Sequence, residues 1–106
     1  MITEQYLNSE LSDLLMNQDY DGSSSMSYDD NGVRHSLISV ACAADWLRKE
    51  RGLYIAVNYF RLEVDSDWVT MAIYKKNKRG AEMSFEGYDY NEVMFNAVSW
   101  CIRNLL

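Results

Sequence analysis

Asn17-x-Asp19-x-Asp21-Gly22-x-x-Ser25 matches the first nine positions of a calcium-binding EF-hand loop. Alternate oxygen-bearing side chains would supply the ligands a hard cation needs, and the glycine permits the sharp turn. The match then fails: position twelve is Tyr28 where a bidentate glutamate belongs, position eight is Ser24 where an apolar residue belongs, and no exit helix follows. The run reads as an acidic turn. His35 is the only histidine; it stands beside Ser36 and downstream of Asp29 and Asp30. Adjacency in sequence does not create the mutual geometry of a Ser/His/Asp triad, and no nucleophile elbow or glycine-rich oxyanion loop accompanies it. Asp65 and Asp67 fall on a turn between strands, without an apolar pocket to separate their pKa values. Cys42 and Cys101 lie in helical patterns without CxxC or Cys/His spacing, which reads as buried free thiols. No glycine-rich phosphate loop occurs. The expectation is a non-enzymatic chain with no catalytic, metal or cofactor-binding residue.

Lys75, Lys76, Lys78 and Arg79 place four cations within five residues. Clustered cations gain from counterion release on phosphate, so this turn, assisted by the basic helix end Arg48–Arg51, is the candidate for nucleic-acid binding. Charge argues against it. The chain carries a net charge of −6, and residues 1–33 hold seven acids (Glu4, Glu10, Asp13, Asp19, Asp21, Asp29, Asp30) with no Lys or Arg. Residues 34–106 hold all ten bases against nine acids. The basic turn therefore reads as a solvated connection guarded by charge against edge pairing, and nucleic acid is the disfavoured partner. The acidic arm suggests a different role: Asp19, Asp21, Asp29 and Asp30 could imitate nucleic-acid charge in a basic groove of a protein partner.

The elements that must carry these groups follow from periodicity. One hundred and six residues suit a single domain, 1–106, made of an acidic helix-and-loop arm (1–35) and a body (36–106). Tyr6, Leu7, Leu11, Leu14 and Leu15 predict an amphipathic helix from near Thr3 to near Asn17. Asn31-Gly32 predicts a tight hairpin turn with Met26–Tyr28 and Val33–His35 as short arms. A second helix is expected from Ser36, as N-cap, to Arg51, with cations in its last turn and Gly52 beyond it. Leu53–Val64, Trp68–Tyr74 and Ala81–Glu86 read as strands joined by Asp65-Ser66-Asp67 and the basic 75–80 connection. Asp89 and Glu92 form a capping box for a final helix with a broad apolar stripe. The fold class is therefore α+β: helix, loop or hairpin, helix, three antiparallel strands and helix, with helices packed on one or both faces of the sheet. The last five elements follow the order of double-stranded RNA-binding domains, an analogy of fold only. Those domains place a lysine-rich N-terminus on the last helix, whereas this one begins Tyr88-Asp89-Tyr90-Asn91-Glu92.

Alternation along the strands assigns two faces. Val69, Met71 and Ile73 form the core side, with Leu53, Ile55, Val57 and Tyr59. Tyr54, Phe60, Trp68 and Tyr74 share the opposite side, and the change of apolar phase after Asn58 suggests a β-bulge there. Leu7, Leu11 and Leu14 of the first helix are the expected cover for this aromatic face; left uncovered, it would be a surface for a protein partner or a homodimer.

The chain resembles a group of small uncharacterised proteins of Bacteroides-type gut bacteria and their phages or mobile elements. The resemblance spans most of the sequence and rests on ITEQYLNSELSDLL, AADWLRKERGLYIAV, Trp68 in the second strand and the terminal YDYNEVMFNAVSWCIRNLL. It implies an accessory role and transfers no site residue. The Ser23–Ser25 loop departs from the pattern. No apolar run reaches the ~20 residues of a membrane span, and the N-terminus lacks the basic and apolar regions of a signal peptide. The expectation is a cytoplasmic protein with no membrane partner.

Overall fold

The computed structural model describes residues 6–21, 25–30, 33–63 and 66–106, and their side chains at 6–21, 37–60 and 68–106. In chain order the elements are α1 (Ser9–Met16), β1 (Ser25–Asp30), β2 (Val33–Ile38), α2 (Val40–Arg51), β3 (Leu53–Glu63), β4 (Ser66–Lys75), β5 (Met83–Gly87) and α3 (Tyr90–Asn104). The expected α+β class holds: a three-stranded antiparallel sheet in the order β3-β4-β5 lies beneath helices, beside a separate two-stranded β1-β2 sheet.

The first helix begins later than its periodicity suggests. Asn8 is the cap, its side-chain oxygen accepting the Leu11 N–H at 2.8 Å. Tyr6 instead bridges Ser39, and the Leu7 N–H donates to the Ile38 carbonyl at 2.8 Å, so the chain enters the helix extended along the end of β2. The expected start at Thr3 lies outside the described residues. Two turns of helix do not persist alone in water, so α1 depends on packing. Leu11 and Leu15 are buried, and the buried Ser12 hydroxyl accepts the Ile38 N–H at 3.2 Å.

The 31–32 turn lies outside the described residues, but the arms it was expected to join are paired, Tyr28 with His35 and Ser27 with Ser36. That pairing moves the start of α2. Ser36 belongs to the ladder, and Ser39, the next serine, is the N-cap, accepting the Cys42 N–H at 3.1 Å. The far end is as expected, with Arg48, Lys49 and Arg51 in the last turn and Gly52 left-handed at φ 66°. A Cβ at Gly52 would stand 3.0 Å from the Lys76 Cβ, so glycine meets both a backbone and a steric requirement.

In the sheet, Leu53 pairs with Lys75 and the register runs unbroken to Arg61 with Asp67. The bulge expected at Asn58 is absent; the irregularity falls between Arg61 and Glu63. The apolar phase changes because aromatic residues occupy the outer face, with Asn58 opposite Thr70 among them, and the strand itself does not slip. Ser66 already pairs with Glu63, which shortens the expected 65–67 turn. β5 starts two residues later than expected, at Met83. Asp89 caps α3 by accepting the Asn91 and Glu92 N–H groups at 2.9 and 3.4 Å.

The three helices of the described residues pack on one side. α2 lies on β3, α3 on β4 and β5, and α1 against α3 and β2. One core results, joining Leu7, Leu11 and Leu15 to Leu47, Met71, Ile73, Val98 and Cys101. Glu10 also pairs with Arg103 at 3.1 Å, tying α1 to α3. Leu14, in contrast, is exposed. Leu11→Ala should therefore cost about 2–5 kcal/mol, while Leu14→Ala should stay within about 1 kcal/mol. Urea unfolding of both variants would check this; equal costs would mean that α1 does not face the core as described.

Candidate functional site

The outer face of the sheet is built by alternation alone. Tyr54 stands directly opposite Tyr74, and Phe60 directly opposite Trp68, with Ala56–Ala72 and Asn58–Thr70 between the two pairs. These are the four residues that sequence alternation grouped, and they lie on one face. α1, the expected cover, is on the other side of the sheet against α3 and β2. Leu11 and Leu15 contribute to the core, Leu14 is exposed, and these rings are left uncovered. Tyr54 is 40% exposed, Phe60 53% and Tyr74 37%; Trp68 is half-buried.

A fifth ring joins them. Tyr88 meets Trp68 edge-on, with centroids 4.8 Å apart and planes at 82°, and is itself 65% exposed. In the sequence Tyr88 stands only as part of the acidic approach to the last helix. The available signal was the alternation Ser84, Glu86, Tyr88 running past the end of β5. Aromatic side chains carry ~150–250 Å² each, so these exposures leave ring surface on the order of 400 Å², the size of the largest apolar patch on a typical monomer. Among the described residues of β3–β5 pointing outward, Glu86 alone is charged. The face can thus bury rings against an apolar partner without stranding ions.

The basic turn is arranged differently. Lys78 forms an ion pair with Glu82 at 2.6 Å, which holds the Glu82 carboxyl below its ordinary value. Lys75 is half-buried on the helix side of the sheet, and Lys76 and Arg79 are exposed. The helix end offered as its assistant is also committed. Lys49 and Arg48 bind Asp45 at 2.9 and 2.6 Å and lower its pKa, while the Arg51 guanidinium sits 4.7 Å over the Trp46 ring.

The acids of the arm are divided in space. Asp13 and Asp19 are exposed, but Asp21 accepts the Trp46 indole N–H at 2.9 Å. Sequence periodicity set Trp46 on the flank of its helix; it is buried, with Tyr20 against it at 5.4 Å. Arg51 further donates to the Gln18 carbonyl at 2.8 Å, so the chain leaving α1 is fastened to α2. Burial, then the nearby Cys42, Asp21 and Asp45, raise the Tyr20 pKa. A cleft of about 410 Å³ opens beside this junction, with Asp21, Cys42, Asp45 and Lys49 on its walls. Asp21 and Asp45 are already satisfied by Trp46 and by the two cations. Asp29, Asp30 and His35 have side chains outside the described set, as do Gly22–Ser24 of the calcium-like run. Among the described residues no group of three metal-ligating side chains comes together, and no helix is long and apolar enough to cross a membrane.

Comparison with known protein families, with curated proteins and with solved structures finds no match.

Of the two cysteines, Cys101 is buried in the core and Cys42 is half-buried at the cleft. Burial pushes the Cys101 thiol up to about 12, from 9.0. The unfolded chain therefore loses this proton near pH 9 and the folded chain only near pH 12. Stability present below pH 9 should fall across that window, by at most about 1.4 kcal/mol per pH unit from this group. Chemical denaturation at pH 8, 9.5 and 10.5 should show a flatter decline for Cys101→Ala than for the wild type. Parallel declines would mean that the thiol is not desolvated.

Proposed function

We propose that this chain is a non-catalytic binding protein whose outer sheet face docks an apolar segment of another protein. The reading extends to a cytoplasmic accessory protein of the phage or mobile-element kind that its sequence resemblance implies. One observation carries it: five aromatic side chains share a nearly uncharged face while every described helix packs on the opposite side. Truncation of a central aromatic residue in such a patch costs on the order of 2 kcal/mol of binding, about thirtyfold in affinity. Tyr54, Phe60, Trp68 and Tyr74 are the contact residues, with Tyr88 as their neighbour.

The alternative, nucleic-acid binding through Lys75, Lys76, Lys78 and Arg79, draws no support from the arrangement. Lys78 is paired, Arg48 and Lys49 are paired with Asp45, and Asp89 and Glu92 stand at the start of α3. The turn serves as a charged connection that keeps the β4–β5 end soluble.

Affinity capture from host lysate with the wild type and with Phe60→Ser/Tyr74→Ser tests the reading, with the fold of each checked by circular dichroism. Recovery of the partner should fall at least tenfold for the double variant and stay unchanged for Lys76→Ala/Arg79→Ala. The reverse ranking would overturn the assignment, as would retardation of duplex RNA or DNA at low salt that disappears in the lysine–arginine variant.

A further inference from the structure

The two edges of the three-stranded sheet are unlike. β5 has five residues, carries Glu86, and is preceded by the Lys78–Glu82 ion pair. β3 has eleven, and from Leu53 to Phe60 it contains no charge and no proline. Among the described residues no strand pairs with its outer side. Native sheets guard long edges with lysine, proline, bulges or a covering element, and here the irregularity comes only at Arg61/Glu63.

The hydrogen-bond phase of that edge can be read from one contact. The Lys76 N–H donates to the Gly52 carbonyl at 2.8 Å, so Gly52 and Lys76 form a hydrogen-bonded pair. Bonded and non-bonded pairs alternate along an antiparallel ladder. The even-numbered residues Tyr54, Ala56, Asn58 and Phe60 therefore turn their N–H and C=O groups to β4. Leu53, Ile55, Val57 and Tyr59 turn theirs to the open edge.

We propose that β3 pairs antiparallel with β3 of a second copy of this chain, across a two-fold axis at Val57. In that register Tyr54 faces the other copy's Phe60 on the outer side, and Ile55 faces its Tyr59 on the helix side. Val57 meets Val57. Like faces meet like, because residues directly opposite in an antiparallel pair share a side. The outward groups of Leu53, Ile55, Val57, Tyr59 and Arg61 make about ten main-chain hydrogen bonds, the number carried by a typical interface. Tyr59, 57% exposed in the single chain, gains a neighbour.

Self-complementarity selects a second copy: the two-fold register sets Tyr54 against Phe60 and Ile55 against Tyr59 with no charged residue from Leu53 to Phe60, so the net −6 that makes two such chains repel is not concentrated at the contact. α1, with Glu10 and Asp13, packs on α3 and β2, away from this edge. The product is a six-stranded sheet whose two aromatic faces run together. The pairing does not depend on what that face binds.

Amide hydrogen exchange of the full-length chain, followed by NMR from micromolar to millimolar concentration beside sedimentation, tests the pairing. Dimer formation should slow exchange at Leu53, Ile55, Val57 and Tyr59 at least tenfold, while Tyr54, Ala56 and Asn58 are slow at every concentration. A monomer at millimolar concentration overturns the proposal. So does a dimer in which the odd-numbered amides do not change, which would place the contact elsewhere. Val57→Pro removes only an outward N–H from the β3 ladder: a folded monomer agrees with the pairing and a folded dimer refutes it. If that variant fails to fold, the wild-type exchange pattern decides. Tyr74→Ser, on the central strand, should leave the dimer intact; its loss in that variant would place the contact on the outer face and overturn the edge pairing.

Discussion

A three-stranded sheet has two faces, and the described helices of this chain all pack on one of them. That arrangement follows from where α1 goes. Leu11 and Leu15 join a core already supplied by α2 and α3, and the Glu10–Arg103 pair and the Ser12 hydroxyl hold the short helix in that layer. Had the same leucines crossed to the far side, the sheet would be a closed middle layer and its rings ordinary core. The open face and the long bare edge both descend from this one packing choice.

The junction between α1 and α2 shows how polar groups enforce it. Trp46 is buried but carries an indole N–H that must be paired, and Asp21 supplies the acceptor. Arg51 then covers the ring and reaches back to the Gln18 carbonyl. A residue that sequence spacing assigned to an acidic turn is thus a structural acceptor, and a cation that could have served phosphate is held against an aromatic face. Charge counted along the chain overstated the separation of arm and body, because Glu10 and Asp21 are tied to α3 and α2.

Sequence periodicity captured the sheet well because burial on one side imposes a strict two-residue repeat. The opposition of Tyr54, Phe60, Trp68 and Tyr74 to Val69, Met71 and Ile73 was legible for that reason, as were the Gly52 stop and the Asp89 cap, where local chemistry suffices. Helix starts were less legible. Ser36 and Ser39 are equivalent as caps until the pairing of Ser36 with Ser27 removes one of them. The side taken by α1 was not legible at all, since an amphipathic stripe specifies what is buried and not against what. Tyr88 was missed because a glycine and an acidic run on either side hid the last step of an alternation.

Gly52 has a consequence for how this protein can vary. One residue ends a helix in a left-handed turn, lies in contact distance of Lys76 and opens the ladder of β3. It therefore sets the rotational phase of the strand against the helix that precedes it. Inserting or deleting a single position there would invert the strand, sending Tyr54 and Phe60 beneath the helical layer and Ile55 and Val57 into water. The length of this joint is fixed by geometry.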